Sequence, residues 1–136
     1  MKKGIIVSFV ILCVAGLAAS AWFFFSAEEP LPRGEVAATI NYTDNGYEPK
    51  EVTIRAGQAV RWVNNSPGEM WPAAAVHPTH AIYPQKSDTD CLGSSFDSCR
   101  RLQPGETYEF TFTYEGDWKF HDHVRPSKTG IVKVEN

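Results

Sequence analysis

Two patterns of apolar and polar residues divide the chain. Gly4 to Phe25 is almost uninterrupted apolar sequence. From Val36 onward, apolar and polar positions alternate with a period of two in short runs, each closed by turn residues, which is the signature of strands buried on one face. The runs are Val36–Tyr42, Glu51–Arg55, Ala59–Asn64, Thr107–Tyr114, Trp118–His121 and Thr129–Val134. Thr43-Asp-Asn-Gly46, Ala56-Gly-Gln58, Leu102-Gln-Pro-Gly-Glu106 and Glu115-Gly-Asp117 supply the turns. Within Thr107–Tyr114 the aromatic residues fall at even positions and the polar ones at odd, and Val60 and Trp62 share one face of their run. Between Asn65 and Gln103 no period persists, and Pro67, Pro72, Pro78 and Pro84 interrupt the stretch. An irregular insertion of that length in a small domain is commonly functional. Beyond the first apolar segment no run has a helical period. The expectation is an all-β domain, an antiparallel sandwich or barrel.

The apolar segment adds a membrane to this picture. It is long enough to cross a bilayer as one transmembrane helix, and Lys2 and Lys3 before it and Glu28 and Glu29 after it orient it with the N-terminus in the cytoplasm. The expected organisation is an anchor over 1–27, a Pro- and Gly-containing linker over 28–35, and a domain over 36–136 on the extracytoplasmic side, in a periplasm or at the cell surface. Ala19-Ser-Ala21 has the small-x-small form of a signal-peptidase site, so the alternative is a cleaved signal and a secreted domain. The apolar run continues past that site through Phe25, which favours the uncleaved signal-anchor. Leu12 before Cys13 is a poor fit to a lipoprotein signal.

Charge excludes one class of partner. From Gly34 onward there are ten basic and fourteen acidic residues. Such a domain has no polyanion-binding surface, and nucleic acid is not expected as a partner. Cys91 and Cys99 lie eight positions apart in a polar loop. In an oxidising compartment the pair reads as a disulfide, with two thiolate metal ligands as the rival reading.

The chemistry lies in the four histidines, which form two tight pairs, His77-Pro-Thr-His80 and His121-Asp-His123. Residues two apart at a strand end point the same way, so His121 and His123 present two imidazoles together. Hydrogen-bonded histidines at a strand end would account for that spacing as well. If the insertion brings the other pair to the same place, the result is a metal site with His80, His121 and His123 as donors and His77 as a fourth donor or support. Asp122 alternates away from its neighbours, which suits a supporting role better than ligation. Met70 could offer a thioether, though a gap-filling core residue is the commoner role.

With the strand pattern in place, the domain resembles a cupredoxin, a Greek-key β-sandwich of the plastocyanin and azurin superfamily. The resemblance rests on Tyr47-Glu-Pro-Lys-Glu-Val-Thr-Ile-Arg-Ala-Gly-Gln-Ala-Val-Arg-Trp-Val-Asn64, on Pro104-Gly-Glu-Thr-Tyr-Glu-Phe-Thr-Phe112, and on Gly116-Asp-Trp-Lys-Phe-His-Asp-His123 followed by Gly130-Ile-Val-Lys-Val134. It implies copper. A blue-copper member would carry a cysteine near His121 or Asp122, a first histidine soon after Asn64, and often a methionine before the last strand. Here no cysteine lies between Cys99 and Asn136, no methionine follows Met70, and Glu69-Met70-Trp71 occupies the neighbourhood of the first histidine. The His-x-His motif instead resembles the strand by which multicopper oxidase domains hold their non-blue copper ions.

These observations imply a histidine-rich, thiolate-free copper site, Cu(II) favoured and zinc competing, for copper handling or one-electron transfer with a redox or copper-transfer protein partner. The alternatives are a small copper redox enzyme and a metal-free sandwich that binds a protein.

Overall fold

A computed structural model describes residues 34–136, which fold as two packed four-stranded sheets with no helix among the described residues. The strands are β1 (Val36–Thr43), β2 (Gly46–Glu48), β3 (Glu51–Arg55), β4 (Ala59–Asn64), β5 (Pro72–Ala74), β6 (Thr107–Thr111), β7 (Gly116–Asp122) and β8 (Thr129–Glu135). One sheet has the order β2-β1-β4-β6 and the other β3-β8-β7-β5. The predicted anchor over 1–27 and most of the linker lie outside the described residues.

The all-β sandwich is as expected, but its sheets are mixed rather than antiparallel. β1 runs parallel to β4, and β3 runs parallel to β8. The reason lies at Pro49 and Lys50, the only residues between β2 and β3. There the chain changes sheets without a reversing turn, so the reversal at Ala56–Gln58 returns β4 alongside β1 in the same direction. Two short strands also depart from the pattern read from sequence, β2 directly after the first predicted turn and β5 inside the irregular insertion.

Alternation then builds the core. Ile40 and Tyr42 of β1, Val60 and Trp62 of β4, Phe120 of β7 and Val132 of β8 are fully buried. Trp62 stands at the centre, its ring 5.4 Å from both Phe96 and Phe120 and 5.5 Å from Tyr108. Each such side chain contributes about 2–3 kcal/mol of burial. Two of the core aromatics, Tyr83 and Phe96, belong to the insertion. Their burial ties that segment to the sandwich. The Phe96 carbonyl accepts from the Ala74 amide at 2.8 Å, and the Tyr83 hydroxyl oxygen accepts from the Thr113 amide at 2.8 Å. The insertion is irregular in sequence because aromatic anchors and β5, rather than a repeating period, hold it in place.

Candidate metal centre

β7 carries the first half of the site. Its inward positions, Phe120 and Asp122, enter the core, and the intervening position aims His121 the other way, beside Ala73 of β5. His123 follows the end of β7 and is fixed by its amide, which donates to the Trp71 carbonyl at 2.8 Å. His121 and His123 therefore share a side, with ring centroids 4.8 Å apart.

The second half comes from the segment after β5. His80 adopts a left-handed backbone conformation with φ of 48°. Its amide donates to the Val76 carbonyl at 2.8 Å, folding Val76–His80 back on itself. This turn brings the His77 and His80 rings to 4.4 Å from each other and to 4.7 and 5.1 Å from His121. His123 is 4.4 Å from His80 and 5.5 Å from His77. All four histidines of the sequence thus meet in one cluster.

Within it, one nitrogen from each of His77, His80 and His121 lies within 4.8 Å of the other two. His80 Nδ1 is 2.9 Å from the Ala74 carbonyl, which in the neutral ring calls for a proton on Nδ1 and leaves the Nε2 lone pair free. That Nε2 faces His77 Nδ1 at 3.1 Å. His123 meets His80 from the other side, its Nε2 3.3 Å from Nδ1. The three whose donor nitrogens could share one ion are His77, His80 and His121. His123 lies beside them, its ring 4.4 Å from that of His80 and 4.8 Å from that of His121.

Electrostatics favour neutral, lone-pair-bearing rings at His121 and His123. Burial, reinforced by the neighbouring imidazoles of His123, His77 and His80, pushes the His121 pKa down to about 4. Burial, together with His80, lowers that of His123. His121 Nε2 is buried and has no hydrogen-bond partner. An orphaned buried nitrogen is costly in a structure unless something absent from the polypeptide satisfies it. A cation among these rings would do so, and imidazole donors suit copper and zinc. The residues present fit a metal.

The remaining residues singled out from sequence take other places. Asp122 is fully buried, and its carboxylate accepts from the Tyr42 hydroxyl, from the Trp71 amide at 2.8 Å and from the Val124 amide at 3.1 Å. It braces both chain segments that flank His123. Met70 is buried in the hydrophobic core, and its backbone exchanges hydrogen bonds with Leu102. Cys91 and Cys99 are joined in a disulfide. Arg125 lies over the Tyr42 ring at 5.6 Å.

Sequence reasoning did not single out Trp71 or Tyr42 as part of this assembly. The Trp71 ring lies 5.0 Å from that of His123, tilted by 30°. Its indole N–H donates to Asp97 Oδ1 at 2.6 Å. For Tyr42 the only signal was its place on the inward face of β1. Trp71 sits where the period is lost, and the sequence marked its neighbourhood only through Met70 and the place expected for a first histidine.

Fold and cluster together define a cupredoxin-type domain with a histidine-lined centre at one end of its sandwich. A family model described as copper binding proteins of the plastocyanin/azurin family matches residues 34–135, and the chain belongs to that family. Among solved structures it is similar to a purple cupredoxin from Nitrosopumilus maritimus, with 22% identity over 72% of this chain and 99% of that one and a TM-score of 0.56. Amicyanin from Paracoccus versutus matches at 21% identity over 79% of this chain and 86% of its own, with a TM-score of 0.55. A copper-containing nitrite reductase from Thermus scotoductus matches at 23% identity and a TM-score of 0.54, over 81% of this chain but only 24% of the enzyme. At these identities the likeness is one of fold.

Proposed function

We propose that the domain holds one copper ion, as Cu(II), through the imidazoles of His77, His80 and His121, with His123 as a fourth donor or its support, and without a thiolate. The observation that carries this reading is the meeting of all four histidine rings in one cluster, in which His121 Nε2 is buried without a partner. Two features of the chain support the thiolate-free form: no cysteine follows Cys99, and the two cysteines among the described residues are bonded to each other. Bound copper supplies one-electron redox chemistry. The polypeptide's part is to keep His121 and His123 neutral, chiefly by burial, to orient His80 through the Ala74 carbonyl, and to fix His123 between Trp71 and β7.

The role that follows is copper handling or one-electron transfer with a protein partner. The apolar segment Gly4–Phe25 would tether the domain to the outer face of the cytoplasmic membrane. Copper titration of the purified protein tests the site. The wild type should bind one equivalent, and His121→Ala should lose at least tenfold in affinity. Unchanged stoichiometric binding in the double variant His80→Ala/His121→Ala would refute the assignment. Membrane fractionation with N-terminal sequencing tests the tether: a mature protein beginning at Trp22 in the soluble fraction would refute it.

A further inference from the structure

The loop closed by the Cys91–Cys99 disulfide holds a second group of donors outside the histidine cluster. Asp97 lies between the two cysteines in sequence, and one of its carboxylate oxygens is within 4.8 Å of both sulfurs. The cysteines are exposed, whereas Asp97 retains only 7% of its accessible surface. Its Oδ1 is held by two donors, the Trp71 indole N–H at 2.6 Å and the Cys99 amide at 2.7 Å. Its Oδ2 is buried and has no partner. A buried carboxylate with one oxygen clamped and the other unsatisfied is poorly explained by the fold alone. It has the form of an oriented ligand, with its supporting bonds already in place.

We propose that reduction of the disulfide opens a second metal site, in which the Cys91 and Cys99 thiolates and the Asp97 carboxylate hold a soft or borderline cation such as Cu(I) or Zn(II). Thiolates select these metals, and two sulfurs with one oxygen leave a fourth position open. The reductant is a dithiol. One of its thiolates attacks a cystine sulfur, forming a mixed disulfide and releasing the other cysteine. Its second thiol then displaces the remaining one. Two electrons and two protons pass from the dithiol to Cys91 and Cys99, and the reductant leaves as its own disulfide. A divalent cation entering the site releases the two thiol protons.

Trp71 places this site next to the first. Its indole N–H bonds Asp97, and its ring stacks near His123. Metal held by the thiolates would therefore sit one side chain from the imidazole cluster, as a loading port would require.

The test uses the full-length chain carrying Cys13→Ser, so that only Cys91 and Cys99 can titrate, with Co(II) added anaerobically as the probe. After reduction and removal of the reductant, the protein should bind Co(II) with a sulfur-to-cobalt charge-transfer band and an unchanged near-UV circular dichroism spectrum. The oxidised protein should show no such band. Asp97→Asn, which keeps the side-chain shape and the bond from Trp71, should weaken the band-forming site at least tenfold. Absence of the band in reduced protein would overturn the proposal, as would full affinity in Asp97→Asn. A band accompanied by loss of the native dichroism would also overturn it, because the thiolates would then be acting from an unfolded chain. Imidazole-bound Co(II) gives no sulfur band, so this outcome is separate from the fate of the histidine site.

Discussion

The Tyr42 hydroxyl donates to the carboxylate of Asp122, across 80 residues of sequence and from one sheet to the other. The same carboxylate accepts the Trp71 and Val124 amides, so a single buried anion ties β1 to both segments flanking His123. Burial and the Asp122 carboxylate push the Tyr42 pKa well up, which keeps the hydroxyl a donor throughout the neutral range.

Tyr42→Phe should therefore destabilise the domain by about 1–1.5 kcal/mol, the net worth of one ordinary hydrogen bond, because the carboxylate keeps its two other donors. Asp122→Asn should cost more, about 2–3 kcal/mol, because a nitrogen now faces donors that need an acceptor. It should also weaken copper binding, since His123 loses its brace. Urea denaturation and a competitive copper titration on both variants measure the two effects. Equal stability of Asp122→Asn and wild type would show that the carboxylate does not hold the loop.

The metal-free domain should lose stability in mild acid. In the unfolded chain His121 titrates near its ordinary value of 6.5, whereas in the fold its pKa is about 4. Between those values the unfolded state binds more protons, so stability is complete above pH 6.5 and falls as pH drops towards 4. His123, also lowered, adds in the same direction. The loss attributable to His121 is at most about 3 kcal/mol. Denaturation midpoints from pH 7.5 to 4 check it, and His121→Ala should flatten the profile.

Gly93 is a point where the disulfide loop supports the site. A Cβ there would overlap the Thr79 carbonyl oxygen and come within 2.8 Å of the His80 carbonyl carbon. Gly93→Ala must push the His77–His80 turn away or distort its own loop, at a cost of about 1–3 kcal/mol. Copper affinity should fall with it, although residue 93 carries no ligand. An unaltered affinity would mean that the turn is held from elsewhere.

Replacing both cysteines by serine removes the closure of a short loop, worth about 2–3 kcal/mol in the chain-entropy account. Thermal melting should register that loss. The copper spectrum should persist, because the imidazole donors lie outside the loop.

Much of this was legible in the chain. The six strand runs showed themselves because each buries one face, and period-two alternation records that burial directly. β2 and β5 were hidden, since three residues are too few to establish a period, and β5 opens with a proline. The parallel pairings of β1 with β4 and β3 with β8 were not legible either, because they arise from the change of sheet at Pro49–Lys50 rather than from any strand's own pattern. In the site, the spacing of His121 and His123 predicted their shared side. That the His77–His80 turn would meet them depends on Tyr83 and Phe96 anchoring the insertion, and on β5 pairing with β7. These are tertiary contacts with no local signature.

The central claim is that copper at the histidine centre is bound by imidazole without sulfur, and the spectrum of the copper-loaded, disulfide-bonded protein tests it most directly. One equivalent of Cu(II) should give weak ligand-field absorption, no intense sulfur-to-copper band, and an electron paramagnetic resonance signal split by several nitrogen nuclei. An intense sulfur-to-copper band with a narrow copper hyperfine splitting would contradict it.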